Sequence, residues 1–143
     1  MRALLIAVFT FALSACAQQP AVDVNVLEAA ANDAIDVYLS CMDTAAKVYA
    51  TTSISATEAS IAAQGHCSAE LTKFDLAIHS FMAGSVKTAK GQVFAAERAD
   101  ILVADIKRKA QESVVAKVVE HRMLQNTPTP SKDAPKQKPN TGI

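Results

Sequence analysis

The chain has 143 residues, 14 basic and 14 acidic side chains, three cysteines, five prolines and no tryptophan. This length corresponds to one domain, and a net charge of zero excludes a protein that binds nucleic acid through bulk electrostatics. Half of the residues are hydrophobic, which excludes a chain that is disordered throughout. The 28 alanines and only four glycines favour helices and argue against an all-β fold, which needs many glycine and proline turns.

An apolar stretch near the N-terminus indicates an export signal. It follows the positive charge of Arg2 and covers residues 3–13. These 11 residues are too few to span the hydrocarbon core of a bilayer as a helix, which takes about 20 residues. Their number suits the apolar region of a secretory signal peptide. We therefore predict that residues 1–15 form a signal peptide.

The run Leu13-Ser14-Ala15-Cys16 resembles the lipobox of bacterial lipoproteins. The resemblance implies that the Cys16 thiol receives a diacylglycerol, that the peptide is cut before Cys16, and that the new amine is acylated, for example with palmitate. Several acyl chains on one residue anchor a protein stably in a membrane. Because Ala17 follows the cysteine where aspartate would favour the inner membrane, the resemblance implies an outer-membrane anchor that faces the periplasm. Residues 16–24 are then a lipidated N-terminus and a short tether.

Ordinary secretion is the alternative to lipidation. Small residues, Ala15 and Ala17, flank Cys16, so a signal peptidase could also cut after Ala17. That cut would release a soluble periplasmic or secreted chain. An unprocessed apolar N-terminus is a third alternative, and the sequence leaves the position of the cut open.

The other two cysteines, Cys41 and Cys67, are predicted to form a disulfide. An exported chain matures in an oxidising compartment, where two thiols are by default paired. Cys41 lies 13 residues before Ile54 and Cys67 lies 13 residues after it. The two cysteines therefore reach the same height in an antiparallel helical hairpin that turns at Ile54. Two free buried thiols are the alternative.

Small and apolar residues recur every three or four positions in three segments, which predicts helices over about 25–51, 56–83 and 86–122. The predicted fold is all-α: a disulfide-linked antiparallel helical hairpin plus a long third helix, forming a three-helix bundle over residues 25–124. Ser55 and Glu58 fit a capping box at the start of the second helix, and Gly84 is expected to end it in a left-handed conformation. The predicted inward positions are Leu27, Ala31, Ala34, Tyr38, Cys41, Ala45 and Val48 on the first helix, Ser60, Ala63, Cys67, Leu71, Phe74, Ile78 and Phe81 on the second, and Ala96, Ala99, Val103, Ile106, Ala110 and Val114 on the third. Core packing is also the preferred interpretation of the remaining aromatic residues, Tyr49 and Phe94.

The last segment, residues 125–143, is predicted to be a disordered tail because it is rich in proline and polar residues. Its lysines could meet an envelope protein or an anionic envelope component. Residues 16–85 carry a net charge of −6 and residues 86–143 a net charge of +5, so a basic third helix is expected to complement an acidic hairpin within the fold. The tail lysines are Lys132, Lys136 and Lys138.

Chemistry-bearing residues are few. His66 and Glu70 are four positions apart, as are Asp75 and His79, and such pairs can contribute half of a metal site on a helix. His66 and Glu70 are weak metal candidates, and surface ion pairing is the preferred explanation of both pairs. The sequence holds no H-E-x-x-H or C-x-x-C motif and no glycine-rich nucleophile elbow. We therefore predict no catalytic residue, no cofactor and no enzymatic activity.

The middle of the chain, from Tyr38-x-x-Cys41 through Ala62-Ala63-x-x-x-Cys67, also resembles small bacterial envelope proteins with a disulfide-stapled helical hairpin. This resemblance brings no assigned activity. The sequence predicts a non-enzymatic, membrane-anchored helical lipoprotein that acts through protein or envelope contacts. A periplasmic ligand- or metal-binding helical module is the alternative.

Overall fold

A computed structural model describes residues 23–127 of the chain. The predicted signal peptide, Cys16 and the predicted tail from Pro128 onward lie outside the described residues. Residues 23–127 form four helices and no strand, so the all-α prediction is confirmed. The helices are α1 (Val24–Ala50), α2 (Ala56–His66), α3 (Ser68–Gly84) and α4 (Ala89–Asn126).

Side chains cap α1 at both ends. At its start, the Asp23 carboxylate accepts a hydrogen bond of 2.9 Å from the backbone N–H of Asn25. This bond satisfies one of the N–H groups that a helix leaves without an internal partner. At its end, the hydroxyl groups of Thr51 and Thr52 donate to carbonyl oxygens of the last turn, at 2.8 and 2.7 Å. The polar residues after Ala50 thus end the helix and begin the turn.

The segment predicted as one helix over 56–83 is divided in two at Cys67. The capping box predicted at its start is present: Glu58 N–H donates to the Ser55 hydroxyl, and the Glu58 carboxylate accepts from Ser55 N–H. At Cys67 the backbone leaves the helical region, with φ −94° and ψ 23°. Gly65, a weak helix former, lies just before this point, and Cys67 is disulfide-bonded. The periodic pattern runs through Cys67 without interruption, so it does not reveal the break.

α4 starts later and ends later than predicted. Its first residue is Ala89, because the Thr88 hydroxyl accepts a 3.1 Å hydrogen bond from Gly91 N–H and caps the helix there. It runs to Asn126, four residues beyond the predicted end, and Thr127 adopts an extended conformation with ψ 114°. A residue that precedes proline disfavours the helical region, so Pro128 sets this end. The 38 residues of α4 make it about 57 Å long.

α3 ends one residue later than the predicted 83, and Gly84 has a different role from the one predicted. The helix ends at Gly84, yet no glycine or other residue among 23–127 has a positive φ angle. A Cβ atom at Gly84 would instead meet the side chain of Leu27. Gly84 therefore permits the close approach of α1 and does not supply a left-handed turn.

The core lies where α1, α3 and α4 meet, and α2 packs on both α1 and α4. Of the largest wholly buried side chains, Tyr38 and Phe74 stack with ring centroids 5.6 Å apart. Alanine supplies most of the other buried positions, which lets the helix backbones approach one another closely. The buried alanines are Ala31, Ala45, Ala46, Ala50, Ala59, Ala63, Ala95, Ala99 and Ala110.

The predicted inward positions are accurate for the second segment and less accurate for α1 and α4. Val48 of α1 is 59% exposed, whereas Met42, which was not predicted, is buried. The reason is that α1 contacts α2, α3 and α4. Its buried face is therefore wider than the single line of residues, three or four positions apart, that the spacing predicts. On α4 the buried stripe begins at Ala95, not Ala96, and extends to Val118.

Phe94 contradicts the prediction that all aromatic side chains pack in the core. It is 58% exposed on α4, next to Val93, which is 72% exposed. The guanidinium carbon of Arg98 lies 5.3 Å from the centroid of the Phe94 ring. Phe94 is the one exposed aromatic residue within the described range 23–127.

Candidate functional surfaces

A disulfide bond joins Cys41 of α1 to Cys67 at the α2–α3 break. Their Cα atoms are 5.9 Å apart, within the range that disulfides require and closer than most packed helices approach. The neighbouring Ala45 and Ala63 are both buried and small, which permits this approach. Cys67 is completely buried and Cys41 is half-buried. The pairing predicted from the positions of the two cysteines agrees with this geometry.

The structure does not bring His66 and Glu70 together. His66 is exposed and lines a small cavity of about 50 Å³ with Thr44 and Val48. The Glu70 carboxylate lies 4.0 Å from the Cys41 sulfur instead. The surface ion pair predicted for His66 and Glu70 is therefore wrong. Within residues 23–127 no group of three or more histidine, cysteine or acidic side chains could hold a metal ion.

The ion pair predicted between Asp75 and His79 is present and is part of a larger contact. The Nε2 atom of His79 lies 3.5 Å from Asp75 on the same helix and 3.2 Å from Asp100 on α4. His79 therefore connects α3 to α4 at the surface.

The basic run Lys107-Arg108-Lys109 is largely neutralised by neighbours on its own helix. Asp105 lies 2.6 Å from Arg108 and 2.7 Å from Lys109, and Glu112 lies 2.7 Å from Arg108. Hydrogen bonds from Lys109 and Arg108 lower the pKa of Asp105, and bonds to Asp105 and Glu112 raise the pKa of Arg108. The ion pairs of this run therefore lie within α4 and not between α4 and the acidic helices.

One ion pair does connect α4 to α1. Lys117 contacts Asp43, which also pairs with Lys47 at 2.8 Å. At this place, the predicted attraction between the basic and acidic halves of the chain consists of the contact between Lys117 and the carboxylate of Asp43. Asp43 also stands between two grooves on the same face of the molecule.

One of these two grooves, which we call the α1–α4 groove, has a volume of about 340 Å³. Most of its lining residues are apolar, and Asp43, Lys109, Ser113 and Lys117 are the polar ones. Such a groove is of the size and polarity of small-molecule sites, which hold a few polar groups in an apolar lining. The apolar side chains that line it are Ile35, Leu39, Met42, Ile106, Ala110 and Val114.

The hydroxyl group of Tyr38 is a second feature that sequence analysis did not anticipate. It is buried and finds no hydrogen-bond partner within residues 23–127. Burial raises the pKa of Tyr38 above its ordinary value, because the charged form loses contact with water. An unpaired buried hydroxyl costs free energy, so this group marks a local weakness of the core.

Arg122 near the end of α4 binds the turn that follows α1. Its guanidinium donates to the carbonyl oxygens of Ala50 at 3.3 Å, Thr52 at 2.9 Å and Ile54 at 2.7 Å, with a further contact to Tyr49 at 3.5 Å. These carbonyls include the ones that α1 leaves unpaired at its C-terminal end. The spacing pattern gives no signal for this contact, because Arg122 and the turn are about 70 residues apart in sequence.

No helix within residues 23–127 combines the length and the apolarity needed to cross a membrane. Comparison with protein-family models, curated proteins and solved structures found no match to this chain.

Proposed function

We propose that this chain is a membrane-anchored helical lipoprotein of the bacterial cell envelope that acts through protein or envelope contacts and has no enzymatic activity. The observation that carries the proposal is the apolar stretch followed directly by Leu13-Ser14-Ala15-Cys16. The helical domain begins at Val24, so a short tether would connect it to the anchored Cys16. In this proposal the anchor lies in the outer membrane and the helices face the periplasm.

The cysteine arrangement supports export into an oxidising compartment. Once Cys16 is assigned to the anchor, the remaining cysteines are two, and they lie at bonding distance in a disulfide. Disulfides are rare in the bacterial cytosol and common in the periplasm. The lipobox and the cysteine pair are independent features that point to the same compartment.

The proposed architecture follows from the same features. α2 and α3 form one interrupted arm of a three-helix bundle, with α1 and α4 as the other two arms. The proline-rich segment 125–143 is predicted to serve as a flexible arm, although α4 includes its first two residues. Its lysines Lys132, Lys136 and Lys138 are the proposed contacts to an envelope protein or to an anionic envelope component.

Metabolic labelling tests the anchor. Cells that express the full chain are grown with a palmitate analogue, and the expected result is a labelled band that Cys16→Ala abolishes. The matched control is the Cys41→Ala/Cys67→Ala double variant, which removes the other two thiols and should keep the label. An unlabelled parent chain would show that the protein is not a lipoprotein.

A second candidate function, the binding of a periplasmic small molecule, is favoured by the α1–α4 groove and not by His66 and Glu70. The groove offers about 340 Å³ with a mostly apolar lining, whereas His66 and Glu70 are directed to different neighbours. Ser113→Trp would fill the groove from its exposed edge, and Thr72→Trp on α3 is a matched control outside it. Mass analysis of a solvent extract should show a co-purified small molecule that only Ser113→Trp removes. A parent extract without such a molecule contradicts this candidate.

A further inference from the structure

Three helix ends lie together at one end of the molecule. A Cβ atom at Gly84 would meet the side chain of Leu27, so the end of α3 lies against the first turn of α1. The side chain of Gln92, in the first turn of α4, donates hydrogen bonds to the carbonyls of Ala83 and Val86, both at 2.9 Å. The start of α1, the end of α3 and the start of α4 therefore occupy the same end.

This end carries an exposed surface that combines apolar and basic side chains. We define the proximal surface as Lys87, Lys90, Val93, Phe94 and Arg98, all of which are exposed. Val93 is 72% exposed and Phe94 is 58% exposed. Contact of these apolar side chains with water costs free energy, which burial against a partner would recover. The Arg98 guanidinium lies over the Phe94 ring at 5.3 Å, which places a positive charge beside the aromatic group.

The charges of this surface suit an anionic partner. Residues 86–98 hold three basic side chains and one acidic side chain, Glu97. An aromatic ring flanked by lysine and arginine is typical of segments that lie at the interface of a bilayer with anionic lipids. Asp23 and Glu28, at the start of α1, are acidic and would be repelled by an anionic partner. The α4 side of this end is therefore the side that faces such a partner.

The proposed anchor brings a bilayer within reach of the same end. Val24 is eight residues after Cys16, and eight extended residues span at most about 28 Å. A tether of this length keeps the bilayer at a high effective concentration near the start of α1. Even weak contacts between this end of the molecule and the bilayer are then formed for much of the time. The other end of the molecule, where Arg122 binds the turn after α1, is separated from the start of α1 by the length of that helix.

We propose that the proximal surface rests on the anionic lipid bilayer that holds Cys16, with Phe94 and Val93 between the headgroups and Lys87, Lys90 and Arg98 on the phosphates. This inference rests on the proposed lipid anchor and adds an orientation to it. The end that carries Arg122 then faces away from the bilayer and is available to partners in the periplasm.

Tryptophan reporters test the orientation, because the chain has no tryptophan of its own. Phe94→Trp places a reporter in the proximal surface, and Met123→Trp, at a position that is 67% exposed near the other end, is the matched control. The acylated full chain is reconstituted in phosphatidylethanolamine vesicles that contain phosphatidylglycerol and brominated acyl chains. The expected result is a blue-shifted emission and at least threefold stronger quenching at position 94 than at position 123. Equal quenching at the two positions would overturn the inference.

Charge reversal tests the role of the lysines. In the Phe94→Trp background, Lys87→Glu/Lys90→Glu should lower quenching at least twofold in vesicles with phosphatidylglycerol and leave it unchanged in neutral phosphatidylcholine vesicles. Lys107→Glu/Lys109→Glu makes the same change of charge further along α4 and should leave quenching unchanged in both. Equal effects of the two double variants would show that overall charge, and not the proximal surface, determines the contact.

The mass of the purified chain separates a failure of the orientation from a failure of the anchor. If Cys16 is acylated and the two reporters are quenched equally, the orientation is wrong and the anchor stands. If Cys16 carries no acyl group, the anchor proposal is wrong, and the surface is tested by sedimentation of the unacylated chain with phosphatidylglycerol vesicles. Binding that Phe94→Glu reduces tenfold supports the surface, and absence of binding by the parent chain overturns it.

Discussion

The Nη2 atom of Arg122 lies 2.7 Å from the carbonyl oxygen of Ile54, which connects the end of α4 to the turn between α1 and α2. The same guanidinium reaches carbonyls of the last turn of α1. A helix C-terminus carries partial negative charge on its unpaired carbonyls, so a cation is favourable there. One side chain of α4 thus holds the turn that sets the antiparallel course of α1 and the following helices.

Arg122→Ala should lower the free energy of unfolding by about 2 kcal/mol, because hydrogen bonds from a charged donor to several half-buried carbonyls are lost. Arg108→Ala is the matched control and should cost much less, since Arg108 is exposed and pairs with surface acids on its own helix. Urea denaturation followed by circular dichroism measures both. Equal losses for the two variants would show that the contacts of Arg122 to the turn do not stabilise the fold.

Tyr38→Phe should raise the free energy of unfolding by about 1 kcal/mol at neutral pH, because it removes a buried hydroxyl that has no partner among the described residues and keeps the stacked ring. Tyr38→Ala should cost about 4 kcal/mol through the cavity it leaves. Thermal and urea denaturation check both values. A Tyr38→Phe variant less stable than the parent would show that the hydroxyl is hydrogen-bonded in solution.

The same hydroxyl predicts a loss of stability in alkali. The pKa of Tyr38 is raised by burial, so between its unfolded value of about 10 and its higher folded value the unfolded chain releases a proton that the folded chain keeps. The parent protein therefore keeps its full stability below about pH 10 and loses part of it as pH rises through the folded pKa of Tyr38. The difference in stability between Tyr38→Phe and the parent should therefore be larger at pH 11 than at pH 8. A difference independent of pH contradicts this assignment.

Reduction of the Cys41–Cys67 disulfide should lower the free energy of unfolding by about 3 kcal/mol, since the bond closes a loop of 26 residues. The Cys41→Ala/Cys67→Ala variant should show a similar loss and, unlike the parent, no further response to a reductant. Peptide mapping without reduction should find the two cysteines in one linked fragment. Two alkylatable thiols in the protein isolated from its native compartment would refute the bond.

Two glycine substitutions should have different effects although both glycines are helical. A Cβ atom at Gly65 meets nothing within 4 Å, so Gly65→Ala should raise the free energy of unfolding by about 0.5 to 1 kcal/mol through the better helix propensity of alanine. A Cβ atom at Gly84 would displace the side chain of Leu27, so Gly84→Ala should gain less or lose stability. Urea denaturation of both variants measures the contrast. A gain in stability at Gly84 equal to that at Gly65 would show that the Leu27 side chain leaves room for a Cβ atom at position 84.

Local signals in the sequence predicted a large part of this fold. The capping box of Ser55 and Glu58, the inward stripe through Phe74 and Ile78, and the i, i+4 pair of Asp75 and His79 are all present in the structure. Each of these depends on residues within one or two helical turns of each other, where the spacing places side chains on the same face of a helix.

The features that sequence analysis missed depend on contacts between distant segments. The buried Met42 reflects the packing of α1 against two sides. The exposed Phe94 directly precedes the buried Ala95 on α4, so a shift of one residue along the helix separates a surface position from a core position. The separation of His66 from Glu70 shows that a spacing of four residues permits a pair without requiring one. For the candidate surfaces, only the positions of the cysteines and lysines were accessible from the sequence.

The sequence is rich in alanine and free of proline from residue 21 to residue 127, and this composition by itself determined that the domain is helical, because helix propensity and periodicity act locally. It also determined which two cysteines could reach one another, since equal distance from a turn is a property of sequence position. Tertiary structure alone decided that the second helix is interrupted at Cys67, that Arg122 binds the turn after α1, and that Phe94 remains at the surface. Each of these depends on which helix lies against which, and spacing along one helix carries no information about its neighbour.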